Sequence, residues 1–126
     1  MLRQVFFWLA ITWTGIILFL CLVKSSDLPQ VNMQNLDKVV HAFFHFVFTT
    51  LWYLVFKKRM NSSTITKPLV VSFMFSVFFG ILVEILQWLC TTTRTADVFD
   101  VLANVTGATL AVIGIILLDK YSQRTT

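Results

Sequence analysis

The sequence predicts an all-α membrane protein, folded as an antiparallel bundle of four transmembrane helices in a single domain spanning residues 1–126. First, 57% of the 126 residues are hydrophobic and only 13% are charged, whereas soluble domains carry about a quarter charged residues. Second, the apolar residues are concentrated in four runs, at 5–23, 39–56, 68–89 and 98–118. A helix needs about 20 residues to cross a bilayer, so each run predicts one transmembrane helix.

The first run, 5–23, contains no charged residue and follows Arg3. It is longer than the 7–15 apolar residues of a usual signal peptide, and no small-residue cleavage site follows it. We therefore expect a retained helix rather than a removed leader.

The other three runs carry a few polar residues each. The second contains His41 and His45, the third Glu84 and Gln87, and the fourth begins close to Asp100. Backbone groups in lipid must be paired within their own segment, which favours helices. The connections at 24–38, 57–67 and 90–97 are short, so consecutive helices are expected to be antiparallel neighbours.

The distribution of basic residues predicts the orientation in the membrane. With four crossings, one side would hold seven Lys and Arg residues and the other side three, namely Lys24, Lys38 and Arg94. Basic residues accumulate in cytoplasmic loops. This count places both termini and the loop at 57–67 in the cytoplasm.

Polar residues recur on one face of three of the predicted helices, always toward the outer half. Asp37, His41 and His45 are spaced by four residues and therefore share a face. Similar stripes run from Gly80 to Gln87 and from Asp97 to Gly107. At about 1.5 Å per residue, His45, Glu84 and Asn104 each lie roughly 8–10 Å below the outer boundary. The sequence thus predicts an outward-opening polar pocket, ringed by Asp37, Lys38, His41, Glu84, Gln87, Arg94, Asp97, Asp100 and Asn104.

Each polar residue also has a purely structural explanation. An acidic residue at a helix start can accept hydrogen bonds from free backbone N–H groups, and histidines can hydrogen-bond between membrane helices. The His41–His45 spacing also permits a metal, although the H-E-x-x-H pattern is absent. Glu84 must be paired, hydrated or protonated, with Arg94 or Lys38 as the expected partner. Gly107 is expected to allow close helix packing.

Two ordered motifs resemble those of the VanZ-like family. Asp37-Lys38-x-x-His41 resembles the first signature. Gly80-x-x-x-Glu84-x-x-Gln87, followed by Arg94-x-x-Asp97-x-x-Asp100-Val-Leu-Ala-Asn104-x-x-Gly107, resembles the second. His45 departs from the aromatic residue often found at its position and is not expected to be essential. The resemblance covers about residues 37–111. It implies a bacterial inner-membrane protein of the cell envelope, a link to teicoplanin resistance, and a similarity to enzymes that act on phospholipid and lipid-carrier head groups.

The chemistry expected of the pocket is reaction at a phosphate-containing lipid head group. This chemistry needs cations near the phosphate, a base and a proton donor. Catalytic roles are predicted for His41, Glu84, Asp37 and Asp100, and substrate-binding roles for Lys38, Gln87, Arg94 and Asn104. Asp97 and Asp100 are candidate ligands of a divalent cation. The expected partner is a membrane lipid or a lipid-linked envelope precursor, not nucleic acid. Two alternatives stay open: a binding protein that breaks no bond, and a structural protein whose polar residues only fix helix packing.

Overall fold

Four long α-helices make up the part of the chain that the structure describes. The computed structural model describes residues 2–22, 36–61, 63–90 and 98–125, which form α1 (Leu2–Leu22), α2 (Leu36–Met60), α3 (Thr66–Cys90) and α4 (Val98–Thr125). Each contains a stretch long and apolar enough to cross a membrane. The predicted all-helical class with four membrane-spanning helices is therefore confirmed.

Most helix ends lie beyond the apolar runs from which the helices were predicted. The last turn of α2, for example, consists of the basic residues Lys57, Lys58 and Arg59, and α4 continues seven residues past the predicted end at 118. A hydrophobicity criterion stops at the first charged residues, whereas backbone hydrogen bonding continues through them. The last turns of α2 and α4, which contain basic residues, extend these helices toward water.

The short connection between α2 and α3 follows from local backbone chemistry. Asn61, directly after α2, has a φ of 49°, and asparagine is among the few non-glycine residues that adopt this left-handed conformation readily. Pro68 lies in the first turn of α3, where its missing N–H removes no helical hydrogen bond. The connection therefore ends one helix and starts the next within a few residues.

The second helix is central to the packing. α2 contacts α1, α3 and α4, and α3 also contacts α1 and α4, whereas α1 and α4 do not contact each other in the described residues. On the α1–α2 contact, the ring of Phe7 meets Trp52 and that of Trp13 meets Phe44. The Trp13 indole also donates a hydrogen bond to the Phe44 carbonyl, at 2.9 Å.

An aromatic core fills the half of the protein that contains the C-terminal part of α2. Phe48 is fully buried and stacks on Phe79 of α3, with ring centroids 4.7 Å apart and planes inclined by 7°. Trp52 packs edge-on against Phe75 on the same contact. Since aromatic pairs are worth about 0.5–1.5 kcal/mol beyond their buried area, this cluster holds α2 and α3 together. The N-terminal half of α2 is left for polar side chains.

The contact between α2 and α4 depends on small residues. A Cβ placed on Gly107 would overlap the backbone of Ala42, and Ala108 and Ala111 of α4 are fully buried. Close approach through small residues is typical of membrane helices. The expectation that Gly107 allows close packing is confirmed, and this approach brings the polar stripes of α2 and α4 together.

Replacing Gly107 by alanine should therefore destabilise the protein, because its methyl group would have to displace the backbone of α2. Overpacking of this kind typically costs about 1–3 kcal/mol. Gly114→Ala is the matched control on the same helix, because a Cβ there meets nothing within 4 Å and alanine favours the helix. Thermal unfolding of the two variants in detergent, followed by circular dichroism, measures the difference. Equal melting temperatures would contradict the packing described here.

Candidate functional site

Three ionisable side chains from three helices meet in the half of the protein opposite the aromatic core. His41 of α2, Glu84 of α3 and Asp100 of α4 each offer one ligand atom, and these atoms lie within 4.8 Å of one another. Their residues are only 5%, 4% and 9% exposed. The structure thus brings together three of the four residues for which catalytic roles were predicted. We call this trio the triad cluster.

Each member reaches the cluster from near one end of its helix. His41 lies in the second turn of α2, Asp100 in the first turn of α4, and Glu84 about a turn and a half before the end of α3. The first turn of a helix has free backbone N–H groups and the positive end of the helix dipole, both of which favour a carboxylate such as that of Asp100. At about 1.5 Å per residue, the cluster lies within roughly 10 Å of these helix ends.

Lys38 supplies a positive charge beside the cluster. Its Nζ donates a hydrogen bond to Oδ1 of Asp100 at 2.5 Å, and the two side chains are 25% and 12% exposed. Lys38 lies three residues before His41, so both project from one face of α2. The sequence analysis proposed Lys38 or Arg94 as the partner of Glu84. In the structure Lys38 forms an ion pair with Asp100, and Arg94 lies outside the described residues.

The orientation of the His41 ring is set by Asn104, one turn after Asp100 on α4. His41 Nδ1 lies 3.2 Å from Asn104 Oδ1. An amide oxygen only accepts hydrogen bonds, so Nδ1 carries the hydrogen and the lone pair of the neutral ring is on Nε2. That atom faces Oδ2 of Asp100 at 4.0 Å. When the ring is neutral and Asp100 is ionised, two hydrogen-bond acceptors therefore face each other inside the cluster.

Gly80 provides the space that Asn104 occupies. A Cβ at Gly80 would lie 2.9 Å from Asn104 Nδ2, closer than real Cβ contacts allow, and 3.1 Å from Cε1 of His45, which is tighter than most. Asn104 is 1% exposed, and its Nδ2 has no hydrogen-bond partner among the residues that the structure describes. The amide thus holds His41 with its oxygen and places an N–H donor one turn below Glu84.

Gln87, a predicted substrate-binding residue, contacts the end of α1. It is 2% exposed and its Nε2 donates a hydrogen bond to the Cys21 carbonyl at 2.7 Å. The last carbonyls of a helix have no partner within the helix, so this bond stabilises the end of α1 against α3. Gln87 therefore has a structural contact in addition to its predicted role in substrate binding.

Polar side chains continue below the cluster, and sequence reasoning missed most of them. His45 shares a hydrogen bond of 2.9 Å with Ser76, and Ser72 and Thr49 are fully buried nearby along the same helices. The signal was present in the spacing, because Thr49 continues the four-residue interval of His41 and His45. The two serines likewise continue the interval of Gly80 and Glu84. Serine and threonine are common in apolar helices, so their presence alone does not indicate a polar site.

Several predicted residues lie outside the described part of the chain. These are Arg94 and Asp97, together with the side chain of Asp37. The predicted roles of Asp37, Arg94 and Asp97 therefore stay predictions.

Comparison with known proteins identifies the family. The family model described as VanZ/LLP1 matches residues 4–119, nearly the whole chain. The chain belongs to the VanZ/LLP1 family. The resemblance deduced from the motifs at 37–111 is thereby confirmed, and the match extends over all four helices. With the four apolar helices, it establishes an integral membrane protein.

One curated relative of this VanZ/LLP1 chain comes from a eukaryote. An uncharacterised protein of Schizosaccharomyces pombe is 36% identical over 92 residues, which make up 73% of this chain and 54% of that protein. The chain thus spans about half the length of this relative. No solved structure gives a significant match.

The pairing of Lys38 with Asp100 should be measurable as a coupling energy. Lys38→Met leaves the Asp100 carboxylate without its contact, so we expect a loss of about 1–3 kcal/mol, within the usual range for coupled pairs. Adding Asp100→Asn should restore part of that loss, because the uncompensated charge is removed. A double-mutant cycle on unfolding in detergent gives the coupling, and simple additivity of the two changes would contradict the pairing.

Proposed function

We propose that this VanZ/LLP1 protein acts on a phosphate-containing lipid head group at the triad cluster. The observation that carries the proposal is the meeting of His41, Glu84 and Asp100, nearly buried and within 4.8 Å. Ionisable groups inside membrane segments are energetically unfavourable and typically mark functional sites. Their depth, about 10 Å or less from the helix ends, is that of lipid head groups and the first part of the acyl chains.

The side chains of the cluster fit the needs of head-group chemistry. Lys38 provides a positive charge for a phosphate oxygen, and Arg94 is proposed to provide a second through bidentate hydrogen bonds. The Nε2 lone pair of His41 suits a general base for an attacking hydroxyl. Glu84 is proposed as the second group that exchanges a proton. Asn104 Nδ2, an N–H donor at the floor, is placed to bind an oxygen of the head group.

The proposal includes an antiparallel bundle with both termini in the cytoplasm and the triad cluster toward the outer leaflet. The contacts of Phe7 with Trp52 and of Trp13 with Phe44 support antiparallel α1 and α2. The basic last turn of α2, Lys57 to Arg59, supports a cytoplasmic loop between α2 and α3. The cluster lies at the opposite end of α2 and would therefore face outward.

The bacterial inner membrane and a link to teicoplanin resistance, both implied by the family resemblance, stay predictions for this chain. Similarity to a fission-yeast protein does not favour a bacterial source. Head-group chemistry is required in every envelope or organelle membrane, so the proposed activity depends on neither.

Lipid mass spectrometry on the purified protein tests the activity. The protein is incubated with a membrane-lipid and lipid-carrier extract, beside Glu84→Gln and beside His45→Gln as the matched control. His45 is buried on the same face of α2 but hydrogen-bonds with Ser76 outside the cluster. We expect a head-group change with the wild type and with His45→Gln, and at least a hundredfold slower change with Glu84→Gln.

Other results would overturn the proposal in different ways. A lipid that co-purifies unchanged and is lost in Glu84→Gln would favour a binding protein. The absence of both turnover and bound lipid would favour the structural alternative.

The orientation has its own test. Ser63, exposed in the connection between α2 and α3, is replaced by cysteine in a chain whose two native cysteines are serines. We expect a membrane-impermeant thiol reagent to label Ser63→Cys only after the cells are permeabilised. Labelling in intact cells would place this connection outside and reverse the orientation.

A further inference from the structure

The atoms inside the triad cluster are arranged like the ligands of a metal ion. His41 Nε2 and Asp100 Oδ2 face each other at 4.0 Å, beyond hydrogen-bond distance. The bond from Nδ1 to Asn104 leaves Nε2 as an acceptor. Asp100 Oδ1 is occupied by Lys38, whereas Oδ2 is directed toward the ring. Electron pairs that converge in a low-dielectric environment favour a cation between them.

We propose that His41, Glu84 and Asp100 bind one divalent transition-metal cation. The sequence analysis named Asp97 and Asp100 as candidate ligands. The set proposed here keeps Asp100 and takes its other two ligands from α2 and α3, while Asp97 lies outside the described residues. The existence of this cation site does not depend on the proposed lipid chemistry.

The distances suit an ion of this kind. Nitrogen and oxygen ligands bind zinc at about 2.0–2.2 Å in tetrahedral geometry, so two ligand atoms of one ion lie about 3.3–3.6 Å apart. The separation of 4.0 Å between His41 and Asp100 exceeds this range by roughly 0.5 Å. The largest separation in the cluster, up to 4.8 Å, requires a closure of roughly 1.2–1.5 Å. Side-chain rotations of the three ligands can supply movements of this size.

Asn104 is a second, independent feature that points to a bound ligand. Metal-binding histidines almost always donate their other ring N–H to an oxygen, which fixes the tautomer and the ring. Asn104 Oδ1 accepts such a bond from His41. Its Nδ2 is buried without a hydrogen-bond partner among the described residues. A water or a phosphate oxygen on the metal would give this donor its acceptor.

The donor set indicates which ions bind. Imidazole favours zinc and other later transition metals, whereas carboxylates are also suited to manganese. One imidazole and two carboxylates therefore favour Zn²⁺ or Mn²⁺ over Ca²⁺, which prefers six to eight oxygen ligands. Three protein ligands leave coordination positions open, as in catalytic rather than structural zinc sites.

The cation would also reverse the charge of the cluster. With both carboxylates ionised, Glu84 and Asp100 together carry one more negative charge than Lys38, which weakens the attraction of these three side chains for a phosphate group. A divalent cation makes the net charge positive and supplies open positions for phosphate oxygens. This role of the cation rests on the proposed function and changes one part of it: with Nε2 bound to the ion, His41 acts as a metal ligand and not as the general base. The cation would then explain how an acidic cluster attracts an anionic head group.

Metal binding by the purified, tag-free full-length protein tests the proposal. The protein is treated with EDTA in detergent and titrated with Zn²⁺ or Mn²⁺ by calorimetry, and the bound metal is then counted by mass spectrometry. We expect about one ion per chain in the wild type and in His45→Gln. Glu84→Gln and Asp100→Asn, which preserve side-chain shape, should each bind at least a hundredfold more weakly.

The positioning role of Asn104 is measured in the same titration. Loss of an outer hydrogen bond to a metal ligand typically weakens binding about 10–100-fold, so Asn104→Ala should fall in that range. Asn104→Asp keeps an acceptor for His41 Nδ1 and should restore binding toward the wild-type value. A merely structural role would not give this rescue.

Clear results would overturn the cation site. These are less than a tenth of an ion per wild-type chain, or wild-type affinity in both Glu84→Gln and Asp100→Asn. The wild-type stoichiometry decides alone if a variant does not fold. Metal binding without lipid turnover would retain the site and remove the proposed function. Lipid turnover that persists in EDTA would retain the function and exclude a role for the cation in it, while the titration alone decides whether the site exists.

Discussion

The burial of two carboxyl groups and an imidazole in an apolar bundle is the constraint on which the rest of this structure depends. Glu84 and Asp100 approach each other and His41 where water is largely excluded, and such groups are tolerated only when they are compensated. Lys38 compensates part of the charge, and the amide of Asn104 fixes the histidine. Gly107 and Gly80 then follow as requirements, because each lets a helix or an amide come close enough to complete the cluster.

The C-terminal half of α2 contributes to stability, whereas its N-terminal half carries the polar side chains of the proposed site. The aromatic contacts of Phe48 and Trp52 with α3 bury large apolar surfaces away from the cluster. The N-terminal half of α2 carries Lys38, His41 and His45 instead. Functional sites commonly depart from the packing rules that the remainder of a protein obeys. A separate aromatic core allows such a departure, since the helices remain associated when the charges of the cluster change.

Much of this architecture was predictable from sequence, because hydrophobic length and four-residue spacing are properties of single helices. The spacing placed His41, Glu84 and Asp100 on stripes that face the pocket, and the structure brings them together. The depth estimate had matched Glu84 with His45 and Asn104, which lie one helical turn further along α2 and α4. Particular pairings were not predictable in this way. Two examples are the hydrogen bond from Gln87 to the Cys21 carbonyl and the pairing of Lys38 with Asp100. Both depend on how far each helix is rotated and shifted against its neighbour. A single sequence does not contain that information.

The buried polar contacts of the protein are of two kinds, one that stabilises helix packing and one that is suited to chemistry. His45 with Ser76, and Gln87 with the α1 carbonyl, join neutral donors to acceptors, and bonds of this kind fix helix register at little energetic cost. The triad cluster gathers two carboxylates and an imidazole lone pair. For packing alone, apolar residues of similar volume would serve as well or better. A buried cluster that lowers the stability of the folded protein in this way is expected where a cation, a proton or an anionic ligand binds to it. The same four helices therefore contain both kinds of polar contact, and only the second is proposed to bind a ligand.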